Sequence, residues 1–401
     1  MRTEALGDVR SPATRVRVAA AAAVLLAVAV LAVRDGTPWW QAVRLAVVLA
    51  VLRLAVDAVR SATVTAAAGV VGVAVGVGIA VPHLSKTGLS LAAVAGVAAL
   101  AGGLALLVET GRAAPRRPRA AVGLLLLTVL GTYALGQAVA VTNVPRTGVG
   151  DRTPADLGLH HEDVALRTAD GHVLSAWWVP GRLDAGVVLL HGAGSTRASV
   201  LDHAAVLARH GYGVLLVDAR GHGRSGGRAM DFGWRGDLDV DAALDFLAEH
   251  VGGAALVGMS MGGEEAIGAA AADPRVRAVV AEGATGRTAA DRAWLADAYG
   301  LRGRLHLALE RVMFGLTDLL TSARPPISLA DAVVAASPRP VLLIAAGDVA
   351  DEAEVATRLQ ARAPTSVDVW VVPGAGHTDG LRTAPDEWER RVLAVLDAAL
   401  R

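Results

Sequence analysis

The chain contains no cysteine, so neither a disulfide bond nor a metal site built on thiolates can form. Aromatic residues make up only 3% of its 401 residues, and Lys86 is its only lysine. Apolar residues are abundant instead: they make up 53%, more than a wholly water-soluble protein carries. The composition therefore favours a chain that is partly embedded in a membrane.

The charged residues are divided unevenly along the chain. The formal net charge is zero, but residues 1–142 hold 13 basic and 5 acidic residues, and the remainder holds 25 and 33. This division indicates two parts in different solvent surroundings. It gives no reason to expect a nucleic-acid partner.

Long uncharged runs in the first part predict membrane-spanning helices. Residues 61–84, 87–108 and 120–142 are free of charge or nearly so over about 20 residues each, which is the length that crosses a bilayer. The run within 16–33 is shorter, and we interpret it as an anchor rather than a signal peptide because more apolar runs follow. Recurring glycines predict close packing of these helices.

Residues 38–59 decide the predicted topology. Arg44, Arg53 and Asp57 interrupt this run, so an amphipathic helix on the membrane surface is the alternative to a span. The arginines of the N-terminus and of loop 111–119 favour the cytoplasmic side, which requires an even number of spans between them. We therefore expect five spans, in a multi-pass protein of the plasma membrane whose remaining chain is extracytoplasmic. The alternative gives four spans and a cytoplasmic remainder.

The second part of the chain alternates between strand and helix patterns. Residues 143–159 are rich in proline and glycine and predict a linker, and the alternation runs from 160 to 401. It predicts an α/β fold with a mostly parallel sheet, helices on both faces and a ligand site beyond the carboxyl ends of the strands. Residues 284–338 are helical in pattern, and we expect a small cap over that site, with a pair of surface helices as the alternative.

One pentapeptide, Gly258-Met259-Ser260-Met261-Gly262, lies between an apolar strand pattern and a helix pattern. In that setting G-x-S-x-G forms a nucleophile elbow, in which flanking glycines make room for a sharp, strained turn. The serine hydroxyl then lies at the N-terminus of a helix, where the dipole and a free backbone N–H stabilise an oxyanion. A serine that merely caps the helix is the alternative.

A nucleophilic serine needs a base and a third group that orients the base. His377 is the candidate base, because it lies on a glycine-rich loop just after the last predicted strand. The acid should follow the preceding strand, where Asp351 is preferred and Asp348 is close behind. Asp351 could instead cap the next helix. Glu282, at the end of an earlier strand, is a weaker third candidate.

An oxyanion hole needs two backbone donors. The first should be the N–H of Met261, directly after the serine. The second should come from the loop His191-Gly192-Ala193-Gly194, and we assign it to Ala193. We expect His191 to brace this loop rather than to take part in the chemistry.

Residues 160–401 resemble the α/β-hydrolase superfamily in five motifs that occur in the family's order. The resemblance does not cover residues 1–142. It implies the α/β-hydrolase fold, and one motif, Asp218 to Ser225, is typical of the lysophospholipase-like, serine-aminopeptidase-like branch. That run is a structural loop in the branch, so Asp218 and His222 receive no catalytic role. The segment from Gly347 to Asp351 is one residue longer than the family's usual Gly-x-x-Asp. The five motifs are His191–Gly194, Asp218–Ser225, Gly258–Gly262, Pro340–Asp351 and Gly374–Thr378.

The motifs together predict a membrane-anchored serine hydrolase that cleaves an ester or related acyl substrate, such as a lipid, through an acyl-enzyme on Ser260. No metal or organic cofactor is expected. A serine peptidase or acyltransferase of the same fold is the first alternative, and a non-catalytic pseudo-hydrolase that senses or binds is the second. Transport through the spans is disfavoured, because Arg53 and Asp57 are the only candidate charge pair within them.

Overall fold

A computed structural model describes residues 62–113 and 118–401 of the chain, and helices and strands are numbered here within those residues. The described chain divides into two compact units. One, the helical unit, comprises the residues up to Pro145 together with Ala308–Leu320, and the other, the α/β unit, comprises Arg146–Leu307 and Thr321–Arg401. The predicted spans at 16–33 and 38–59 lie outside the described residues, and the five-span topology stays a prediction.

The helical unit is built from apolar helices. They are α1 (Ala62–Thr87), α2 (Leu91–Ala113), α3 (Pro118–Gly131), a π-helix (Thr132–Gly136) and α4 (Gln137–Thr142). Three stretches are long and apolar enough to cross a membrane, and they overlap the three uncharged runs of the sequence: Thr65–Thr87, Leu91–Arg112 and Pro118–Thr142. Length and composition therefore make this unit a candidate membrane region.

Glycine allows α1 and α2 to pack backbone against backbone. A methyl group at Gly76 would lie 2.4 Å from the backbone nitrogen of Leu100, and one at Gly103 would lie 2.5 Å from that of Val73. Neither position has room for a side chain. Small residues at helix contacts are typical of helix association in lipid, where shape complementarity replaces the hydrophobic effect.

The α/β unit contains eight strands. They are β1 (Glu162–Arg167), β2 (Val173–Val179), β3 (Gly186–Leu190), β4 (Gly213–Val217), β5 (Ala254–Met259), β6 (Val276–Glu282), β7 (Val341–Ala346) and β8 (Val367–Val372). The helices of this unit are α5 (Leu201–Arg209), α6 (Gly236–Ala248), α7 (Met261–Ala272), α9 (Leu329–Ala336), α10 (Ala350–Arg362), α11 (Gly380–Thr383) and α12 (Pro385–Leu400).

The eight strands form one sheet in the order β1-β2-β4-β3-β5-β6-β7-β8. β2 is antiparallel to both β1 and β4, and the other pairs are parallel. All five residues of β3 are buried, because helices cover both faces of the sheet. Val188 and Leu190 pack into a core with α6, α7, α9 and α10, while Val187 and Leu189 pack into a second core with α5 and α12. The mixed, mostly parallel sheet agrees with the expected α/β class.

The region predicted as a cap, 284–338, is helical. It consists of a short 3₁₀ turn (Ala289–Arg292), the long helix α8 (Trp294–Leu320) and α9. Gly300 interrupts α8 with φ 54°, a conformation that glycine adopts without strain. The later part of α8, Ala308–Leu320, groups with the helical unit. A role for this region over the site stays a prediction.

Candidate active site

Ser260 occupies a strained turn between β5 and α7. Its φ is 53° and its ψ is −117°, an uncommon conformation for a residue with a side chain. The flanking glycines are required by contact: a methyl group at Gly258 would lie 2.1 Å from the carbonyl oxygen of Gly262, and one at Gly262 would lie 2.5 Å from that of Leu190. The N–H of Ser260 donates to the carbonyl of Glu282 at 2.7 Å, which ties the turn to β6.

His377 lies against Ser260, as the sequence predicts. Its Nε2 is 2.9 Å from Ser260 Oγ, although the two residues are 117 positions apart in the chain. The imidazole packs over Gly283, where a methyl group would lie 2.8 Å from His377 Cε1. The side chain of His377 is 48% exposed, so a substrate can reach the pair.

The carboxylate at His377 is Glu352, not Asp351 or Asp348. Glu352 Oε1 lies 2.5 Å from His377 Nδ1, and Oε2 accepts the N–H of Ala346 at 2.8 Å. Since a carboxylate only accepts, Nδ1 carries the proton and Nε2 is left to accept from Ser260. The expectation for Asp351 is therefore corrected, and so is its alternative.

Helix periodicity explains why Glu352 reaches the site and Asp351 does not. The buried residues of α10 are Glu352, Val355, Ala356 and Leu359, which form one face of the helix. Asp351 is one position away, about 100° around the axis, and is exposed. Asp348 is exposed as well, and only its backbone serves the site, through an N–H that donates to Ala375 at 3.1 Å.

Glu282, the third candidate acid, has a structural role. It is buried at the end of β6, and its carboxylate accepts the N–H of Gly380 at 2.7 Å and the indole N–H of Trp388 at 3.1 Å. These bonds fix the segment that follows His377. Glu282 therefore supports the base without bonding to it.

Negative groups around His377 favour its protonated form. The hydrogen bond to Glu352 raises the pKa of His377 above 6.5, and partial burial opposes this rise. The buried carboxyls of Glu264 and Glu282 act in the same direction through space. A base that takes a proton from serine becomes an imidazolium, so this environment stabilises the state that forms during such a step.

Two neutral histidines hold the loop from His191 to Gly194. His191 is buried, which lowers its pKa to about 4, and its Nε2 accepts the N–H of Ala219 at 3.0 Å. His222 Nε2 accepts the N–H of Gly194 at 3.0 Å, and the two rings meet edge to face at 5.0 Å. His191 therefore braces the loop, as expected, and His222 does so too.

This loop lies beside the elbow. A methyl group at Gly192 would lie 3.4 Å from Ser260 Cβ. Met261 is the first residue of α7, and an N–H in the first turn has no partner within its own helix. Among the described residues, neither the Met261 nor the Ala193 N–H donates to a protein acceptor. The assignment of these two amides to an oxyanion hole stays a prediction.

The run from Asp218 to Ser225 forms a buried structural loop. The Asp218 carboxylate accepts the N–H of Arg197 at 2.8 Å and that of Arg224 at 2.9 Å. Gly223 has φ 48°, and a methyl group there would lie 2.1 Å from Asp218 Oδ2. Ser225 Oγ donates to the carbonyl of Asp218. These contacts agree with the expectation that the motif shapes the loop and does no chemistry.

A family model described as the alpha/beta hydrolase family matches residues 187–391, half of the chain. The chain belongs to the alpha/beta hydrolase family. The match begins in β3 and ends in α12, so it includes Ser260, Glu352 and His377. Two uncharacterized proteins from strains of Mycobacterium tuberculosis are 32% identical over 247 residues, which cover 60% of this chain and 78% of each relative.

Among solved structures, the fold is similar to that of an esterase from Pyrococcus furiosus. Two of its crystal forms match with TM-scores of 0.50 and 0.51 and identities of 27% and 28%. The matches cover 64% and 65% of this chain and 99% of the esterase. The family and this neighbour support hydrolase activity. The assignment to the lysophospholipase-like branch stays a resemblance.

Proposed function

We propose that this protein is a membrane-anchored serine hydrolase that cleaves an ester or related acyl substrate through an acyl-enzyme on Ser260. The observation that carries the proposal is the chain of two contacts, 2.9 Å from Ser260 to His377 and 2.5 Å from His377 to Glu352. Serine is a weak nucleophile at its free pKa, and this arrangement is the one that activates it.

In the proposed mechanism, His377 Nε2 accepts the proton of Ser260 as Oγ attacks the acyl carbonyl. Glu352 holds the tautomer that leaves Nε2 free to accept, and its charge stabilises the imidazolium. The N–H groups of Met261 and Ala193 stabilise the oxyanion. His377 then gives its proton to the leaving group, and water attacks the acyl-enzyme by the same steps in reverse. The reaction needs no metal or organic cofactor.

Membrane anchoring rests on the three apolar stretches of the helical unit. We propose that they span the plasma membrane, and that the two predicted helices before residue 60 make five spans and an extracytoplasmic hydrolase. An alkaline phosphatase fused after Arg401 should then be active, and a reporter that fluoresces only in the cytoplasm should be dark. The reverse pattern would indicate four spans and a cytoplasmic hydrolase.

The serine mechanism is tested by labelling with a fluorophosphonate, which reacts with activated serines. The wild-type protein should be labelled and should hydrolyse members of a panel of acyl esters that differ in chain length. Ser260→Ala should abolish both, with a loss of several orders of magnitude in rate, because removing a triad nucleophile leaves only residual catalysis. Ser199→Ala is a matched control, because this exposed serine bonds only within its own turn.

The same experiment separates the alternatives. A pseudo-hydrolase would be neither labelled nor active. A peptidase or acyltransferase would be labelled at Ser260 but would fail to release acid from the ester panel. Labelling that persists in Ser260→Ala would refute the assignment of the nucleophile.

A further inference from the structure

Helix α8 has two apolar faces, of which only one is covered. Buried residues lie along one side of it: Leu307, Glu310, Met313, Phe314 and Thr317. Large apolar side chains on the other side are exposed: Leu301 at 71%, Leu305 at 65%, Val312 at 52% and Leu319 at 82%. We call these four residues the outer stripe.

The outer stripe is continuous along the helix. A residue turns about 100° around a helix axis, so positions 301, 305, 312 and 319 fall within about 40° of one another. They extend over about 27 Å at 1.5 Å per residue. Scattered exposed leucines need no explanation, but an aligned apolar stripe of this length marks a surface that meets another apolar phase.

Charged residues border the outer stripe. Arg304 and Arg311 lie on one side of it and Arg302 on the other, all exposed, with Asp318 as the single exposed acid near its end. An apolar face bordered by arginines is typical of helices that lie in a membrane interface, where the cations meet anionic headgroups. The charges also explain why α8 is not among the candidate spans.

The surroundings of α8 identify what covers the stripe. Ala308–Leu320 belongs to the same compact unit as the candidate spans, and the hydroxyl of Tyr133, in the π-helix, donates to Glu310 on the buried face of α8. The outward side of α3 in that unit is also apolar, with Val122, Leu125 and Leu126 exposed. A helix whose inner face packs into a bundle of this kind turns its outer face toward the same medium as the bundle.

We propose that the outer stripe of α8 lies in the lipid interface of an anionic membrane, and that the hydrolase takes acyl esters that partition into that layer. The proposal rests on the membrane anchoring proposed above, but it goes further. It makes α8 a lipid-contacting helix that does not cross the bilayer, and it narrows the substrate to molecules held at the membrane surface.

The location is tested by fluorescence quenching, for which a chain without cysteine is well suited. Single variants Leu305→Cys, Val312→Cys and Leu319→Cys of the full chain are labelled with bimane. They are placed in bilayers of phosphatidylcholine and phosphatidylglycerol that contain nitroxide-labelled lipid. Leu126→Cys on α3 and Asp386→Cys, exposed on α12, are the two controls.

Quenching at all three stripe positions and at residue 126, but not at 386, is the expected result. Quenching at 126 without quenching at the stripe would overturn the inference and leave the anchoring intact. Absence of quenching at 126 would refute the anchoring and the inference with it.

The substrate is tested with Leu305→Glu/Leu319→Glu, which places charge on the stripe. We expect a loss of hydrolysis of a long-chain ester embedded in vesicles and unchanged hydrolysis of a short, water-soluble ester. The soluble ester shows that the variant is folded. Equal retention of both activities would overturn the substrate class.

Discussion

The helical unit and the α/β unit both use glycine to bring backbone against backbone, but with different results. Gly76 and Gly103 allow two straight helices to approach each other. Gly258 and Gly262 allow the chain to turn sharply around Ser260. In the first case glycine sets a distance between helices, and in the second it permits a conformation.

The two units also differ in what they bury. The described α/β unit buries several carboxylates, and the two nearest the base, Glu282 and Glu352, each accept two hydrogen bonds. The core of the helical unit around Ile79 and Val139 is formed by apolar side chains. Buried polar groups must be paired, so they fix positions more strictly than apolar contacts do. We therefore expect the α/β unit to respond to changes of single atoms and the helical unit to changes of volume.

Glu352→Gln should cause the largest effect of this kind. The amide keeps the shape of the side chain but can donate toward His377 Nδ1, which favours the wrong tautomer, and we expect kcat/KM to fall about 10⁴-fold. Asp351→Asn and Asp348→Asn are matched controls on exposed neighbours and should stay close to wild type. Steady-state kinetics on a soluble ester measure all three. Inactivation by Asp351→Asn alone would restore the original sequence assignment.

Gly283→Ala should have the next largest effect. Gly283 has φ 71°, and its added methyl group would lie 2.8 Å from the ring of His377. Displacing a catalytic group by about 1 Å costs about 10²-fold in rate. Gly171→Ala is a matched control, because it also has positive φ but meets no atom within 4 Å. Equal losses in the two variants would mean that backbone strain, not the position of His377, is responsible.

Gly76→Ala tests the other half of the comparison. The methyl group would meet the backbone of Leu100 at 2.4 Å, so α1 and α2 must separate. Overpacking of this kind destabilises by about 1–3 kcal/mol. Gly111→Ala, with open space around it, is the control. Thermal unfolding in detergent should separate the two variants, while both hydrolyse a soluble ester at the wild-type rate. A loss of that activity in Gly76→Ala would show that the helical unit shapes the active site.

The pH dependence should show the smallest effect. His377 must be neutral to accept the serine proton, and its hydrogen bond to Glu352 raises its pKa above 6.5. The group is protonated below that pKa, so kcat/KM should be low in acid and should rise with pH through an inflection above 6.5. The profile on a soluble ester measures it. An inflection at or below 6.5 would contradict the proposed effect of Glu352.

Much of the α/β unit could be predicted because its signals are local. Buried parallel strands are continuous apolar runs, and β2, β3, β4 and β8 have the predicted bounds. Ser260 and His377 were also predictable, since glycine-rich turns after strands lie at one edge of the sheet. The structure places the two side chains in contact, as this reasoning requires.

The acid was missed because the search measured distance from the strand end and favoured aspartate. The signal that would have found it is the helical period of α10, in which residue 352 shares a face with Val355 and Leu359. The outer stripe was missed for a related reason. Hydropathy averages over a window, and Arg311 and Glu310 conceal an apolar face that only an angular analysis resolves.

Gly194 has a consequence for the entropy of catalysis. Its N–H is held by His222, and its carbonyl accepts the hydroxyl of Thr147 at 2.9 Å, so one peptide segment beside Ser260 is fixed from two directions. Ordering a residue costs about 1–2 kcal/mol of conformational entropy. Here that cost falls on folding rather than on substrate binding. A substrate that arrives at the elbow therefore meets a loop that is already in place, and its binding energy remains for the acyl group.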